Sequence, residues 1–136
     1  MADPRPNLRV VSAEIVQHGR YLITQRQPDA VLGGLWEFPG GRVRPDESDA
    51  TALRRALQDR VGVQVQVGEQ VMEVVHDYEG YVLTLAVYLC EIEGDAEPEA
   101  KRVAAVAWVG SEEFGEYAFP GADQKTVDLL VGEMEG

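Results

Sequence analysis

The first part of the chain contains runs of apolar residues and runs in which apolar and polar residues alternate. These runs divide it into short extended segments. Leu8–Val16 is rich in β-branched residues, which favours a strand. A His18-Gly19 turn leads into a return strand at Tyr21–Thr24. Leu35–Phe38 alternates apolar and polar positions until Pro39-Gly40-Gly41 interrupts it. The pattern predicts two strands, then a short extended run that ends at a glycine turn.

After this turn, the apolar residues recur at helical spacing. Asp49–Val61 carries apolar residues three and four positions apart, which is typical of an amphipathic helix; they are Ala50, Leu53, Leu57 and Val61. Ser48 is suited to cap the N-terminus, and Gly62 is suited to end the helix. The sequence therefore predicts one strong helix in the first half of the chain.

The second half is dominated by long β-rich runs. Val63–Val75 and Tyr81–Ile92 flank a turn, and Val103–Val109 forms a further strand before a closing helix at Gln124–Val131. Strands outnumber helices, and the two helices are placed to cover a sheet. This order predicts an α+β sandwich.

Length and charge narrow the choice of function. The 136 residues fit one domain, residues 1–136, and 24 acidic residues against 12 basic ones give a formal charge of −12. Duplex nucleic acid and anionic membranes are disfavoured as partners, because both require a broad basic face. Met1–Asn7 lacks an apolar signal core, so we expect a cytoplasmic protein. A lone cysteine, Cys90, cannot form an internal disulfide.

The residues from Gly40 to Val63 carry the chemistry. Gly40-Gly41 would let the backbone approach a ligand closely, and Glu47 precedes the helix N-terminus, where a carboxylate is favoured. Positions 56, 59 and 60 share one helical face. Acids on such a face, beside a loop carbonyl, would bind a hard cation and through it a diphosphate.

This segment resembles the Nudix box, G-x5-E-x7-R-E-U-x-E-E-x-G-U, in which U is aliphatic. Six residues fall at box positions without a gap: Gly41, Glu47, Arg55, Leu57, Gly62 and Val63. The preceding LWEFPGG resembles the MutT branch of the family. The resemblance implies an α/β/α sandwich with a mixed sheet and two main helices. It also implies Mg²⁺ as cofactor, a nucleoside di- or triphosphate as ligand, and Glu47, Arg55 and Asp59 as catalytic residues; a homodimer is left open.

The chain departs from the family at the metal-binding positions. The box glutamates are replaced by Ala56, Asp59 and Arg60, and a further metal-binding glutamate of MutT-like proteins falls near Arg102 by spacing from Trp108. Neither a methyl group nor a guanidinium can ligate magnesium. Arginine can instead hold phosphate oxygens through its forked donors. Arg60, with Arg102, would then preserve diphosphate binding; the alternative for Arg60 is an ion pair on a solvated face.

The resemblance also suggests substrate contacts, each with a structural alternative. Arg26 would contact phosphate or lie as an exposed charge at a strand end. Glu37 would face the substrate or brace the glycine turn. Asp123 would contact the base edge or cap the last helix, and both roles are compatible. Tyr78 and Tyr81 would stack on a base or simply pack.

Structural roles are expected for four other polar residues. His18 and His76 have no partner at ligand spacing, so packing in a turn or in the core is expected for each. Asp46 and Asp49 are expected in a solvated turn rather than at a second metal site.

Three functions remain open. The first is a MutT-like nucleotide-binding protein with weak or lost magnesium-dependent pyrophosphohydrolase activity. The second is an active enzyme with a rearranged metal set, in which the Gly40 carbonyl, Glu47, Asp59 and either Glu97 or Glu99 supply oxygens. The third is a non-catalytic interaction or sensor module.

Overall fold

The computed structural model describes the backbone of residues 3–135 and the side chains of residues 3–132. Within that range the chain forms eight strands, two α-helices and a 3-10 helix at Ser111–Glu116. The strands are β1 (Asn7–Glu14), β2 (Val16–Gln17), β3 (Arg20–Gln25), β4 (Trp36–Glu37), β5 (Gly40–Arg42), β6 (Val65–Tyr78), β7 (Tyr81–Ile92) and β8 (Ala105–Val109). The helices are α1 (Asp49–Val61) and α2 (Gln124–Glu135).

The strands form two sheets. The first sheet has the order β5-β1-β7-β6, in which β1 runs parallel to β7 and the other pairs are antiparallel. The second sheet is antiparallel and is built around β3, which pairs with β2, β4 and β8. The mixed first sheet and the few helices confirm the predicted α+β class.

The helices pack on opposite faces of the first sheet. Side chains alternate between the two faces of a strand. Val11 of β1 belongs to the main core, together with Leu53 and Leu57 of α1. Leu8, on the other face of β1, packs in a smaller core with Val127 of α2. This layering confirms the α/β/α sandwich.

Helix α1 forms where the apolar period predicts it. The Ser48 hydroxyl accepts the Thr51 N–H at its start, and Gly62 ends it in the left-handed conformation with φ of 70°. Five of its residues are buried: Ala52, Leu53, Ala56, Leu57 and Val61. The sheet-facing side of α1 is therefore anchored, and its C-terminal half presents Asp59 and Arg60 away from the core.

Gly40 and Gly41 do not make the predicted turn, and that prediction is wrong. Both residues lie in β5, which pairs with β1. Glycine is required at position 40 because a Cβ there would overlap the Val11 carbonyl oxygen and lie 2.8 Å from Ser12 Cα. At position 41 a Cβ would meet only the Ala56 Cβ, at 3.5 Å. The close approach is therefore between two strands.

The lengths of some strands also differ from those that the sequence predicts. Strand β6 continues to Tyr78, beyond the predicted end at Val75, and the alternating run at 35–38 forms only the short β4. No pattern in the sequence predicts the 3-10 helix that follows β8. In the part of the chain that the structure describes, no helix is both long and apolar enough to cross a membrane.

Candidate functional site

Two adjoining cavities open between the sheets, the end of α1 and the segment before α2. The first, which we call the charged pocket, has a volume of about 200 Å³. Its ionisable lining residues are Arg26, Glu37, Asp59, Arg60 and Arg102. Three guanidinium groups face two carboxylates there, so the pocket is locally cationic in a chain whose formal charge is −12.

The second cavity, which we call the apolar pocket, has a volume of about 370 Å³. That size falls within the range of about 300–1,000 Å³ that is typical of small-molecule sites. Leu83 and Leu85 of β7 and Phe119 are among its apolar walls. Arg26, Glu37 and Arg60 line both cavities, so the two form one continuous cleft with a charged end and an apolar end.

Asp59 and Arg102 meet at the charged end. The Arg102 Nε lies 3.2 Å from the Asp59 Oδ1, and the two side chains are 72% and 49% exposed. Ion pairs this exposed contribute little to stability, about 0–1 kcal/mol. The pair can therefore open at small cost and release Arg102 to an anionic ligand.

The backbone explains why Arg102 reaches this position. The N–H groups of Lys101 and Arg102 donate to the Arg60 carbonyl, at 3.1 and 3.0 Å, and the Glu99 N–H donates to the Val61 carbonyl at 2.9 Å. These bonds satisfy carbonyl groups that the end of a helix leaves unpaired. They also fix residues 99–102 against α1, which brings Arg102 beside Asp59.

Arg60 is held loosely. Its Nη1 lies 4.0 Å from the Glu37 Oε1, and about a third of its side chain is exposed. A guanidinium has five donors in a planar fork. Arg60 can therefore offer several of them to a ligand in the charged pocket.

Arg26 is much more tightly constrained. Its side chain is only 9% exposed. The Nε donates to the Val31 carbonyl at 2.8 Å, and Nη1 donates to both Glu37 oxygens at 2.9 and 3.3 Å. The alternative of an exposed strand-end charge is therefore wrong. Glu37 braces Arg26 rather than the glycine turn, and substrate contacts by either residue stay predictions.

Glu47 and Arg55 form a bidentate ion pair between the β5–α1 loop and α1. Arg55 Nε and Nη2 donate to the two Glu47 oxygens, each at 2.7 Å, and Nη2 also donates to the Arg42 carbonyl. The Arg55 guanidinium, helped by the Arg44 N–H, lowers the pKa of Glu47 from 4.5 to about 2. The geometry shows a brace that closes the loop, and a catalytic role for this pair stays a prediction.

The positions of the box glutamates do not fit magnesium. Ala56 is 3% exposed and packs in the main core, the Asp59 carboxylate is paired with Arg102, and Arg60 is a cation. Among the described residues, no group of three or more His, Cys, Asp or Glu residues could hold a metal ion. Glu97 and Glu99, the predicted replacements, are both exposed on the acidic loop.

The remaining predicted ligand contacts have structural partners. Asp123 caps α2, because its carboxylate accepts from the Thr126 N–H at 3.0 Å and from the Thr126 hydroxyl at 2.8 Å. The Tyr78 hydroxyl donates to the Ala122 carbonyl at 2.7 Å. The Tyr81 hydroxyl donates to Asp128 at 2.7 Å, and burial raises the pKa of Tyr81. The capping and packing alternatives are confirmed; base contacts by these three residues stay predictions.

Asp49 is not in a solvated turn, so that expectation is wrong. Arg9 of β1 donates from Nε and Nη2 to its two oxygens, at 2.8 and 2.7 Å, and the Tyr88 hydroxyl also donates to it. The Arg9 hydrogen bonds lower the pKa of Asp49. This cluster ties the first turn of α1 to β1 and β7. An arginine within the apolar β1 sequence is the one signal that could have indicated it.

The two histidines differ in placement. His18 lies in the predicted turn, with a φ of 52°. His76 lies on β6 and lines the apolar pocket, where its ring packs on Tyr78 with a centroid separation of 5.7 Å. Sequence reasoning missed this placement because β6 extends further than the apolar pattern indicates.

The sequence and the fold agree with known proteins. The family model described as NUDIX domain matches residues 11–129, and the chain belongs to the Nudix family. It is 35% identical over 125 residues to the CTP pyrophosphohydrolase of Escherichia coli K12, an alignment that covers 91% of each chain. It is 32% identical over 133 residues to the putative 8-oxo-dGTP diphosphatase 2 of Mycobacterium tuberculosis H37Rv, covering 96% of this chain and 92% of that one.

Solved structures show the same architecture. The E. coli ORF135 protein superimposes with a TM-score of 0.73 at 30% identity, covering 94% of this chain and 91% of that one. The MutT protein of Methanosarcina mazei Go1 has a TM-score of 0.74 at 21% identity, covering 99% and 100%, which supports the fold alone. The chain is therefore a MutT-like member of a family that generally uses a divalent metal such as Mg²⁺.

Proposed function

We propose that this protein binds a nucleoside di- or triphosphate in the cleft and that its magnesium-dependent pyrophosphohydrolase activity is weak or absent. The observation that carries the proposal is the charge of the pocket at the end of α1. Arg60 and Arg102 line it, and the one acid that α1 contributes, Asp59, is paired with Arg102. A cation would be repelled at this position, whereas phosphate would be attracted.

Arginine supplies part of what magnesium supplies. Both neutralise phosphate charge, and a guanidinium can do so through two parallel hydrogen bonds to oxygens. A guanidinium does not lower the pKa of a water molecule to generate hydroxide, which is a main contribution of a bound metal. Binding without efficient hydrolysis is the expected result.

The apolar pocket supports the nucleoside part of the proposal. It continues directly from the charged pocket through Arg26, Glu37 and Arg60. An anionic chain held at the charged end would place its attached sugar and base between the leucines of β7 and Phe119. Such a cleft suits a ligand with one polyanionic and one aromatic part.

An active hydrolase is the second candidate, and the 35% identity to a CTP pyrophosphohydrolase favours it. It would require metal ligands from the Gly40 carbonyl, Glu47, Asp59 and an acid of the 97–99 region. Glu47 would first have to leave Arg55, which holds both of its oxygens at 2.7 Å. In that case Asp59→Asn and Glu47→Gln should each abolish turnover.

The experiment that separates the candidates is a turnover assay. Release of phosphate and pyrophosphate from the common nucleoside triphosphates and from 8-oxo-dGTP is measured with millimolar Mg²⁺, with the E. coli CTP pyrophosphohydrolase as a positive control. We expect rates at least a hundredfold below that control. Rates comparable to the control that disappear in Asp59→Asn would establish the active enzyme instead.

A further inference from the structure

His76 is a polar residue in the lining of the apolar pocket. It lies on β6 opposite Leu83 of β7, and its ring is half-buried against Tyr78. Within the described part of the chain, its imidazole makes no hydrogen bond or ion pair. A neutral imidazole has one donor and one acceptor. Both are therefore available in a cavity whose walls are mostly apolar.

The strand order places His76 across the first sheet from Gly40, which also lines the apolar pocket. Gly40 of β5 pairs with β1, and β7 separates β1 from β6. Neighbouring strands are about 4.8 Å apart, so β6 lies about 10 Å across the sheet from β1. A ligand that holds its phosphates near Arg60 would extend in this direction, and its far end would reach His76.

Two other polar side chains near this end already have partners. The Tyr78 hydroxyl donates to the Ala122 carbonyl at 2.7 Å. Asp123, for which the sequence suggests contact with the base, has both carboxylate oxygens on Thr126. His76 differs from these two side chains because its donor and its acceptor are both unused.

We infer that His76 hydrogen-bonds the edge of the nucleobase and that it determines the preference of the cleft for nucleotides over bare polyphosphate. The inference rests on the proposed function. An imidazole can present either a donor or an acceptor to an exocyclic amino or carbonyl group, while Leu83, Leu85 and Phe119 pack on the faces of the ring. His76 acts on binding and contacts no reacting phosphate.

The test compares His76→Phe with wild type by calorimetry in EDTA, with CTP, GTP, ATP, UTP and inorganic tripolyphosphate as ligands. Phenylalanine keeps the ring that packs on Tyr78 and removes both hydrogen-bonding atoms. We expect the Kd for the preferred nucleotide to rise about five- to tenfold, the scale of one hydrogen bond, and the Kd for tripolyphosphate to stay within twofold. His76→Gln keeps a donor and an acceptor, so its affinity for the preferred nucleotide should fall less than that of His76→Phe.

His18→Asn is the control, because it removes the other histidine and suits a left-handed backbone. Equal nucleotide affinity in wild type and His76→Phe would overturn the inference and leave the proposed function standing. Equal losses for nucleotide and tripolyphosphate would assign His76 a structural role and also overturn it. If wild type binds tripolyphosphate but prefers no nucleotide, the inference and the nucleoside part of the proposed function both fail.

Discussion

Asp59 and Arg102 form an ion pair, 3.2 Å between Oδ1 and Nε, across the gap between the end of α1 and residues 99–102. The resemblance to the Nudix family predicts metal-binding acids at position 59 and near position 102. Position 102 is an arginine in this chain. The pair neutralises the one acid that α1 directs into the charged pocket. It explains why an acidic chain contains a locally cationic pocket.

Asp59→Asn should therefore strengthen anion binding. The substitution removes a negative charge from the pocket and frees Arg102. A unit charge at about 4 Å contributes about 1 kcal/mol in water, so we expect the Kd for inorganic pyrophosphate in EDTA to fall about three- to tenfold. Asp46→Asn, which removes an exposed acid outside the pocket, is the matched control. Weaker binding in Asp59→Asn would contradict the anion-pocket account.

Gly40→Ala and Gly41→Ala should differ sharply in stability. The methyl group at position 40 would meet the Val11 carbonyl and the Ser12 Cα, which are backbone atoms of β1 and cannot rotate away. We expect a loss of about 1–3 kcal/mol or more in the free energy of unfolding, measured with urea. In Gly41→Ala the new methyl group would meet only the Ala56 Cβ, at 3.5 Å. This variant should therefore lose much less free energy of unfolding. Equal effects of the two variants would show that β5 does not pack on β1 as described.

The Glu47–Arg55 brace should make stability depend on pH. The pKa of Glu47 is lowered from 4.5 to about 2, so its contribution is present above about pH 4.5 and is lost as the pH falls toward 2. Glu47→Gln should lower the Tm by several degrees at pH 7. The difference in Tm between the variant and wild type should shrink below pH 4.5. A difference that stays constant down to pH 3 would rule out the charged pair as its source.

Restoring carboxylates should create a magnesium site. Ala56→Glu combined with Arg60→Glu places two acids beside Asp59 on the same helical face, and oxygen ligands of this kind are what Mg²⁺ prefers. We expect calorimetric titration to detect Mg²⁺ binding that wild type lacks. Ala56→Gln with Arg60→Gln is the control of equal size and no added charge. Failure of the acidic double variant to bind Mg²⁺ while it remains folded would contradict the alignment of the box.

The layers of the fold could be predicted from the sequence because the spacing of apolar residues depends only on neighbouring positions in the chain. Leu53, Leu57 and Val61 recur at helical spacing, and Ser48 and Gly62 are strong caps, so the bounds of α1 follow from nearby residues alone. Gly40 misled the prediction because a glycine can serve either a turn or a close strand contact. Only the pairing of β5 with β1 decides between these, and that pairing is not local.

The candidate site was predictable in its residue types but not in its pairings. The replacement of box glutamates by Ala56 and Arg60 is visible in the chain itself. The partner of Asp59 is 43 residues away at Arg102, and the partner of Asp49 is 40 residues away at Arg9. Such contacts depend on how loops dock onto helices, as residues 99–102 dock on the end of α1 through backbone hydrogen bonds that any sequence could make.

The most direct test of the central claim is calorimetric titration of wild type and Arg60→Ala with the preferred nucleoside triphosphate in EDTA, repeated with Mg²⁺. We predict that wild type binds without metal, that Arg60→Ala binds about tenfold or more weakly, and that Mg²⁺ does not strengthen wild-type binding. Binding that requires Mg²⁺ and is unaffected by Arg60→Ala would contradict the account.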